Sequence, residues 1–178
     1  MATTTITEAL AEIKTIDKRI EKKREFITTY LVRNEQLKDP LDRDGGSFEA
    51  IRRERQAIKD LEELKVAIRR AILDANQENT ITLSGTIRSI ADWLVWRREV
   101  APTQERFLTT LRRNIDANRA EAQKRGLAVA EPDKARERDL IVNLNEAELA
   151  EEIERFQETL GALDGQLSLK NATVTIEY

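Results

Sequence analysis

The stretch that decides the fold is NEAELAEEIERFQETLGALDGQLSLKNATVTIEY, which covers residues 145–178. Its apolar residues recur at alternating steps of four and three, at Leu149, Ile153, Phe156, Leu160, Leu163 and Leu167. This heptad spacing puts one narrow apolar stripe on a helix whose other faces are charged. After Asn171 the residues ATVTIEY alternate in polarity, which predicts a half-buried strand. The end of the chain therefore reads as a long helix followed by a short strand.

Two helices at the start of the chain predict a hairpin. The first should begin near Thr5, because Thr5 and Glu8 have the spacing of a capping box, and it should fade by about Leu37. Residues 38–47, KDPLDRDGGS, break the helix, and Ser47 at their end can cap the next helix. The second helix should run from about Phe48 to Ala75. A loop this short between long helices implies an antiparallel pair.

A short β segment and a third helix come next. NTITLSG, residues 79–85, alternates in polarity and ends in Gly, and we expect the third helix to begin near Thr86. Pro102 should cause a kink or break near Ala101, and the helix should end at about Arg125 before Gly126. Residues 127–145 form a polar linker in which LIVNL could be a short strand or an extended packing segment.

These segments predict an all-α fold of four long helices in two antiparallel, coiled-coil-like hairpins, with short β segments near residues 80–83 and 173–176. We expect residues 1–178 to form a single elongated helical domain. Matching residues at one offset, such as Thr5 with Thr86 and Phe26 with Phe107, indicate an internal repeat of residues 1–85 and 86–178. The two β segments could pair with each other or with a neighbouring chain.

The composition points away from catalysis. The sequence has no His and no Cys, so the usual general base, thiol nucleophile and soft metal ligands are missing. Adjacent carboxylates such as Glu151 and Glu152 diverge around a helix, and DRDGGSFE from Asp42 lacks the ligand spacing of a calcium loop. We therefore predict no enzyme, catalytic residue, cofactor or metal. No apolar run is long enough to span a membrane, and no membrane partner is expected.

The basic residues allow two interpretations. KRIEKKR at residues 18–24 and a row of arginines suggest nucleic-acid binding, the row being Arg97, Arg98, Arg106, Arg112, Arg113 and Arg119. However, the net charge is −3, acidic residues interleave, and the last helix is strongly acidic. Complementary charges that align helices explain this pattern better, so we do not expect direct nucleic-acid binding.

The residues expected to meet a partner lie in three places. Trp93 and Trp96 are either core anchors beside the proline or a partner-facing cluster with Arg97 and Arg98. Gly161 and Gly165 suggest a tight helix crossing. The full set of interface candidates is Trp93, Trp96, Arg97, Arg98, Leu149, Ile153, Phe156, Leu160, Leu163, Leu167, Val174, Ile176 and Tyr178. A β tail can extend a partner's sheet, so removing residues 171–178 should weaken assembly and leave helicity intact.

Three stretches carry a resemblance to known proteins: TITEALAEIKTIDKRIEKKREF (residues 5–26), IADWLVWRREVAP (90–102) and LGALDGQLSLKNATVTI (160–176). Their order resembles small helical structural proteins of tailed bacteriophages, of the cement, decoration or neck type. The chain is also similar to septicolysin-like helical proteins in its order of hairpin, Asn-x-Thr segment, helix, hairpin and Asn-x-Thr tail. No segment resembles a membrane-inserting element, so no cytolysin role is implied.

The resemblance implies a non-enzymatic, oligomerising virion component that binds other virion structural proteins in the capsid or at the neck and tail. Its location would then be the virion, after synthesis in the host cytoplasm. The alternative is a cytoplasmic coiled-coil adaptor or regulator, associated with nucleic acid through the arginine row.

Overall fold

The computed structural model describes residues 3–137 and 139–178. Five helices account for most of them: α1 (Ile6–Tyr30), α2 (Gly46–Glu78), α3 (Ile90–Val95), α4 (Ala101–Lys124) and α5 (Glu146–Thr173). α3 and α4 are joined by a π-helical turn, Trp96–Val100, so the two form one interrupted helix. The predicted all-α fold with four long helices and short β segments is confirmed.

In the described part of the chain, six short strands form three separate two-stranded sheets. They are β1 (Thr3–Thr5), β2 (Thr80–Leu83), β3 (Thr86–Ser89), β4 (Val129–Ala130), β5 (Leu140–Ile141) and β6 (Thr175–Glu177). β1 pairs antiparallel with β6, β2 pairs antiparallel with β3, and β4 pairs parallel with β5. The two expected β segments therefore do not pair with each other, because β2 pairs with β3 and β6 pairs with β1.

The chain divides into two compact units. The terminal unit contains residues 3–78 and 168–178, and the central unit contains residues 79–167. α5 begins in the central unit, and its last six residues belong to the terminal unit. The predictions of a single domain and of a repeat of residues 1–85 and 86–178 stay predictions.

The terminal unit is an antiparallel hairpin of α1 and α2. Its ion pairs show the direction: Lys23 Nζ lies 2.7 Å from Glu54 Oε2, and Lys65 Nζ lies 2.6 Å from Asp17 Oδ1. Residue numbers therefore rise along one helix as they fall along the other. One core joins α1, α2 and β6, and it consists of Ile6, Ala9, Ile13, Ile16, Ile20, Ile68, Ile72, Ala75 and Ile176.

The predicted caps are partly correct. Thr5 caps α1 with the expected capping box: its hydroxyl accepts from the Glu8 amide, and the Glu8 carboxylate accepts from the Thr5 amide. α1 ends at Tyr30, earlier than Leu37. Ser47 does not cap α2, since its own amide and hydroxyl donate to Asp39. The Ser47 hydroxyl, the Ser47 amide and the Leu41 amide together lower the pKa of Asp39 to about 2.

In the central unit, α4 and the first part of α5 run antiparallel. Arg97 Nε lies 2.8 Å from Asp164 Oδ1, while Arg119 pairs with Glu146 at the opposite end. Two buried clusters hold these helices together: one consists of Ile81, Leu83, Ile90, Trp93, Leu163 and Leu167, and the other of Ala101, Leu108, Leu149 and Phe156.

The expected start of the third helix near Thr86 was wrong. Ser84 and Gly85 both have positive φ, 47° and 78°, which is the geometry of a tight hairpin turn. The turn folds Thr86–Ser89 back as a strand on Thr80–Leu83, and the helix begins only at Ile90. Ser89 is the cap, because its hydroxyl accepts from the Asp92 amide at 3.0 Å.

Three other elements predicted from the sequence have boundaries that differ by a few residues from those in the structure. The predicted interruption near Ala101 is the π-helical turn, which ends at Val100, and the Ala101 amide donates to the Trp96 carbonyl. The expected strand at residues 173–176 begins at Thr175, since α5 continues to Thr173. LIVNL contributes only Leu140–Ile141 as a strand.

Candidate protein-interaction surfaces

The most distinctive cluster is aromatic and lies in the central unit. The rings of Trp93 and Trp96 meet edge to face with centroids 5.6 Å apart, and Trp96 lies 6.0 Å from Phe156. The guanidinium of Arg88 lies 5.0 Å from the centroid of Trp93. The edge-to-face contact is a favourable geometry for aromatic pairs, and the Arg88 contact is a cation–π interaction. The hairpin β2–β3, helix α3 and helix α5 therefore converge on this cluster.

The two tryptophans have different roles in it. Trp93 is 4% exposed, and its indole N–H donates to the Ile81 carbonyl at 3.0 Å, so it is a core anchor. Trp96 is half-buried and borders an open recess of about 380 Å³. Arg88, Gln104 and Arg155 also line this recess. Of the two alternatives left open by the sequence, the core interpretation fits Trp93, whereas Trp96 also reaches the surface.

Three of the six arginines in the row form ion pairs. Arg97 pairs with Asp164, Arg98 with the adjacent Glu99, and Arg119 with Glu146. Among residues 3–137 and 139–178, the exposed Arg106, Arg112 and Arg113 have no ion-pair partner. Charge pairing between α4 and α5 therefore explains the ends of the row but not its middle.

The apolar heptad stripe of α5 packs against residues of the same chain. Leu149, Phe156, Leu163 and Leu167 are buried, and Ile153 and Leu160 are half-buried against the same clusters. Their contacts are with the interrupted helix and the hairpin of the central unit. No helix of the same chain crosses closely at Gly161 or Gly165, since a Cβ added at either position meets no atom within 4 Å, so the expected tight helix crossing does not occur within the described chain. That face of α5 stays open.

The last residues of the sequence belong to the terminal unit. Ile176 is 5% exposed in its core, Val174 packs beside it, and the Val174 carbonyl accepts from the Ile6 amide at 3.1 Å. The Tyr178 hydroxyl donates to the Glu12 carboxylate, and this bond with burial raises the pKa of Tyr178 to about 12. Removing residues 171–178 would therefore also remove Ile176 from this core, and the expected weakening of assembly with helicity retained stays a prediction.

Sequence reasoning missed the apolar surface near the loop between α1 and α2. Leu31, Val32, Leu37 and Phe48 are all strongly exposed there, and Phe48 is 79% exposed. A recess of about 530 Å³ lies beside Phe48, and it is lined by Leu31, Ile51, Arg52, Arg55, Gln56 and Lys59. The local signal is an aromatic residue directly after Ser47, which by itself predicts only the start of a helix.

The described residues show neither a membrane span nor a metal cluster. None of their helices is long and apolar enough to span a membrane. Within the same part of the chain, no group of three or more Asp or Glu side chains is arranged to hold a metal ion. No protein-family model matches the chain, and no curated protein or solved structure shows significant similarity to it.

Proposed function

We propose that this chain is a non-enzymatic structural protein that oligomerises as a component of a tailed-phage virion. It would act as a capsid cement or decoration protein, or in joining the neck and tail, by binding other virion proteins. The observation that carries the proposal is that large apolar side chains remain exposed after both cores are formed. Phe48 is 79% exposed in the terminal unit, and Ile87 and Phe107 are 68% and 60% exposed in the central unit.

Exposed aromatic and aliphatic residues on charged helices support an assembly role. Isolated apolar residues are common on any surface, but clusters rimmed by charge mark sites of protein contact. Phe48 and Leu31 line one recess together with Arg52, Arg55 and Lys59. Enzyme function has little support, because the whole sequence contains no His or Cys, the side chains that most often serve as general base and thiol nucleophile.

The first test is the molar mass by light scattering behind a sizing column, over a wide range of concentrations. We expect a discrete oligomer whose mass is a fixed multiple of 20.4 kDa. Peptide mass spectrometry of purified virions should then find the chain at a constant ratio to the major capsid protein. A monomer at every concentration, together with absence from virions, contradicts the proposal.

The alternative, an adaptor or regulator associated with nucleic acid, has one observation in its favour. Arg106, Arg112 and Arg113 are exposed without an ion-pair partner among the described residues. Phosphate contacts by these side chains would make retention on DNA fall steeply with salt concentration. Replacing all three with Gln should then abolish retention, whereas the same replacement of the exposed Arg55, Arg69 and Arg70 on α2 should not. Retention that is absent or independent of salt contradicts this alternative.

A further inference from the structure

The outer face of α2 near its start has the properties of a helix-docking surface. The recess of about 530 Å³ beside Phe48 opens on this face. Phe48, Arg52, Arg55 and Lys59 follow one another at steps of four, three and four, so they lie in one row along the helix. The row therefore presents one aromatic ring followed by three cations.

The cations in this row are not neutralised within the chain. Arg55 and Lys59 have no ion-pair partner among residues 3–137 and 139–178. Arg52 contacts Glu49 one turn away, at 3.6 Å, with 75% of the arginine side chain exposed. An exposed pair of this kind contributes little to stability. A partner for this face should therefore bring carboxylates at the same spacing, together with room for the ring of Phe48.

The outer face of α5 has that arrangement. Glu151, Glu154, Glu158 and Gly161 are exposed and follow one another at steps of three, four and three. Glu154 and Glu158 have no cationic partner among the described residues, and the contact of Glu151 with Arg155 is 3.8 Å long. At Gly161 an added Cβ would meet no atom within 4 Å, so this position is a gap in the helix surface.

We infer that the α2 face of one copy docks on the α5 face of a second copy, with the two helices antiparallel. In this register Arg52 faces Glu158, Arg55 faces Glu154 and Lys59 faces Glu151. Phe48 then lies over the gap at Gly161. The charges match at three successive positions, and the contact gives the interior glycine, which is unfavourable in a helix, a packing reason.

This inference deepens the proposed function and rests on its claim that the chain oligomerises. The two faces differ, so the contact is head to tail, and every copy has one free face of each kind. Such a contact produces a ring if the rotation between copies closes, and a filament if it does not. Association should weaken as salt concentration rises, because the three charge pairs lie at an exposed interface.

The test is a reciprocal charge reversal in the full chain. The first variant carries Arg52→Glu, Arg55→Glu and Lys59→Glu, and the second carries Glu151→Lys, Glu154→Lys and Glu158→Lys. Each variant alone presents like charges on both faces, so we expect its self-association to weaken at least about tenfold. An equimolar mixture should regain association, because each face then meets an opposite charge when the two variants alternate, and it should regain the wild-type mass where the number of copies is even.

A matched control separates this contact from a general effect of charge. Lys14→Glu, Lys18→Glu and Lys22→Glu change the net charge by the same amount as the first variant, on an exposed face of α1. This control should associate like the wild type. Gly161→Leu should fill the gap and weaken association at least about tenfold, while the melting temperature of the fold stays equal or rises.

The outcomes distinguish the inference from the proposed function. If the wild type oligomerises and the two reversed variants still do so alone, or if their mixture does not recover, the docking contact is wrong and the proposed function stands. If the wild type is a monomer at every concentration, the docking contact is wrong, and the proposed function is wrong as well when the chain is also absent from virions. Recovery in the mixture alone, with loss in each separate variant, supports the α2–α5 contact.

Discussion

The strand pairs β1–β6 and β2–β3 share the same hydrogen bonds and helix caps but differ in the length of chain that connects their two strands. In both pairs, one strand leads into a helix, and the residue directly after that strand is a buried Ile. The amide of this Ile donates to the carbonyl of the residue directly before the other strand. The Ile6 amide donates to the Val174 carbonyl at 3.1 Å, and the Ile90 amide donates to the Asn79 carbonyl at 2.8 Å. In both, the last residue of the strand before the helix is its hydroxyl cap, Thr5 or Ser89.

The difference lies in the connection between the strands. β2 and β3 are joined by the two-residue turn Ser84–Gly85, whereas the β1–β6 pair brings together residues as far apart as Thr3 and Glu177, 174 positions along the chain. Closing a longer loop costs more conformational entropy. The central unit therefore closes its strand pair locally, whereas the terminal unit closes only when both ends of the described chain are in place.

The largest expected effect comes from Ile176→Ala, with Ile81→Ala as its matched control. The two side chains are 5% and 3% exposed and occupy equivalent positions in their strands, so each change should cost about 2–5 kcal/mol. No turn holds β6 in place, so Ile176→Ala should release the amides of α1 to hydrogen exchange more than Ile81→Ala releases those of α3. Equal loss of protection in the two helices would show that the turn does not matter.

A smaller effect is expected from Gly85→Ala. Gly85 has φ 78°, a left-handed conformation that costs other residues roughly 1–2 kcal/mol. The change should lower the global stability in urea by about this amount and affect β2 and β3 first, because the β1–β6 pair has no such turn. Gly165→Ala is the control, since it lies in α5 with open space around it, and it should be neutral or stabilising. Destabilisation by both changes in equal measure would contradict the role of the turn.

The smallest effect concerns a bond that only the terminal pair has. The Tyr178 hydroxyl donates to Glu12, and the pKa of Tyr178 is raised from 10.0 to about 12. A raised pKa means that the contribution is complete below pH 10 and is lost as the pH rises through 12. Tyr178→Phe should therefore lower stability by roughly 1 kcal/mol at neutral pH, and the difference from the wild type should vanish near pH 12. A difference that persists unchanged above pH 12 would exclude this bond as its source.

Local patterns predicted the helices well because caps and heptad spacing act over a few residues. Thr5 and Glu8 located the start of α1, and the stripe from Leu149 to Leu167 located the buried face of α5. The partner of β6 could not be found in this way, since nothing in the residues around Thr3 identifies a strand 174 positions away. Strand β3 was missed because Thr86 resembles a helix start, and only the positive φ angles at Ser84 and Gly85 reveal the turn.

The candidate surfaces were predicted less completely than the helices. The spacing of Trp93 and Trp96 predicted the aromatic cluster. The same spacing could not show that Trp93 is held in the core by a hydrogen bond from its indole N–H to the Ile81 carbonyl. The face of α2 beside Phe48 was missed, because an exposed apolar residue and a buried one look the same in a sequence.

The π-helical turn at Trp96–Val100 allows the length of the chain to vary by one residue at that point. The core-facing residues of this helix follow at steps of three, five, seven and three, from Trp93 to Trp96, Ala101, Leu108 and Leu111. An ordinary α-helix would reach the next core-facing position at a step of four from Trp96, and the step here is five, so the wide turn accommodates one extra residue. Deletion of one residue within this turn would keep the core-facing residues before and after it on the same side of the helix. Deletion of one residue elsewhere in the helix would rotate the residues after it by about 100° about the helix axis.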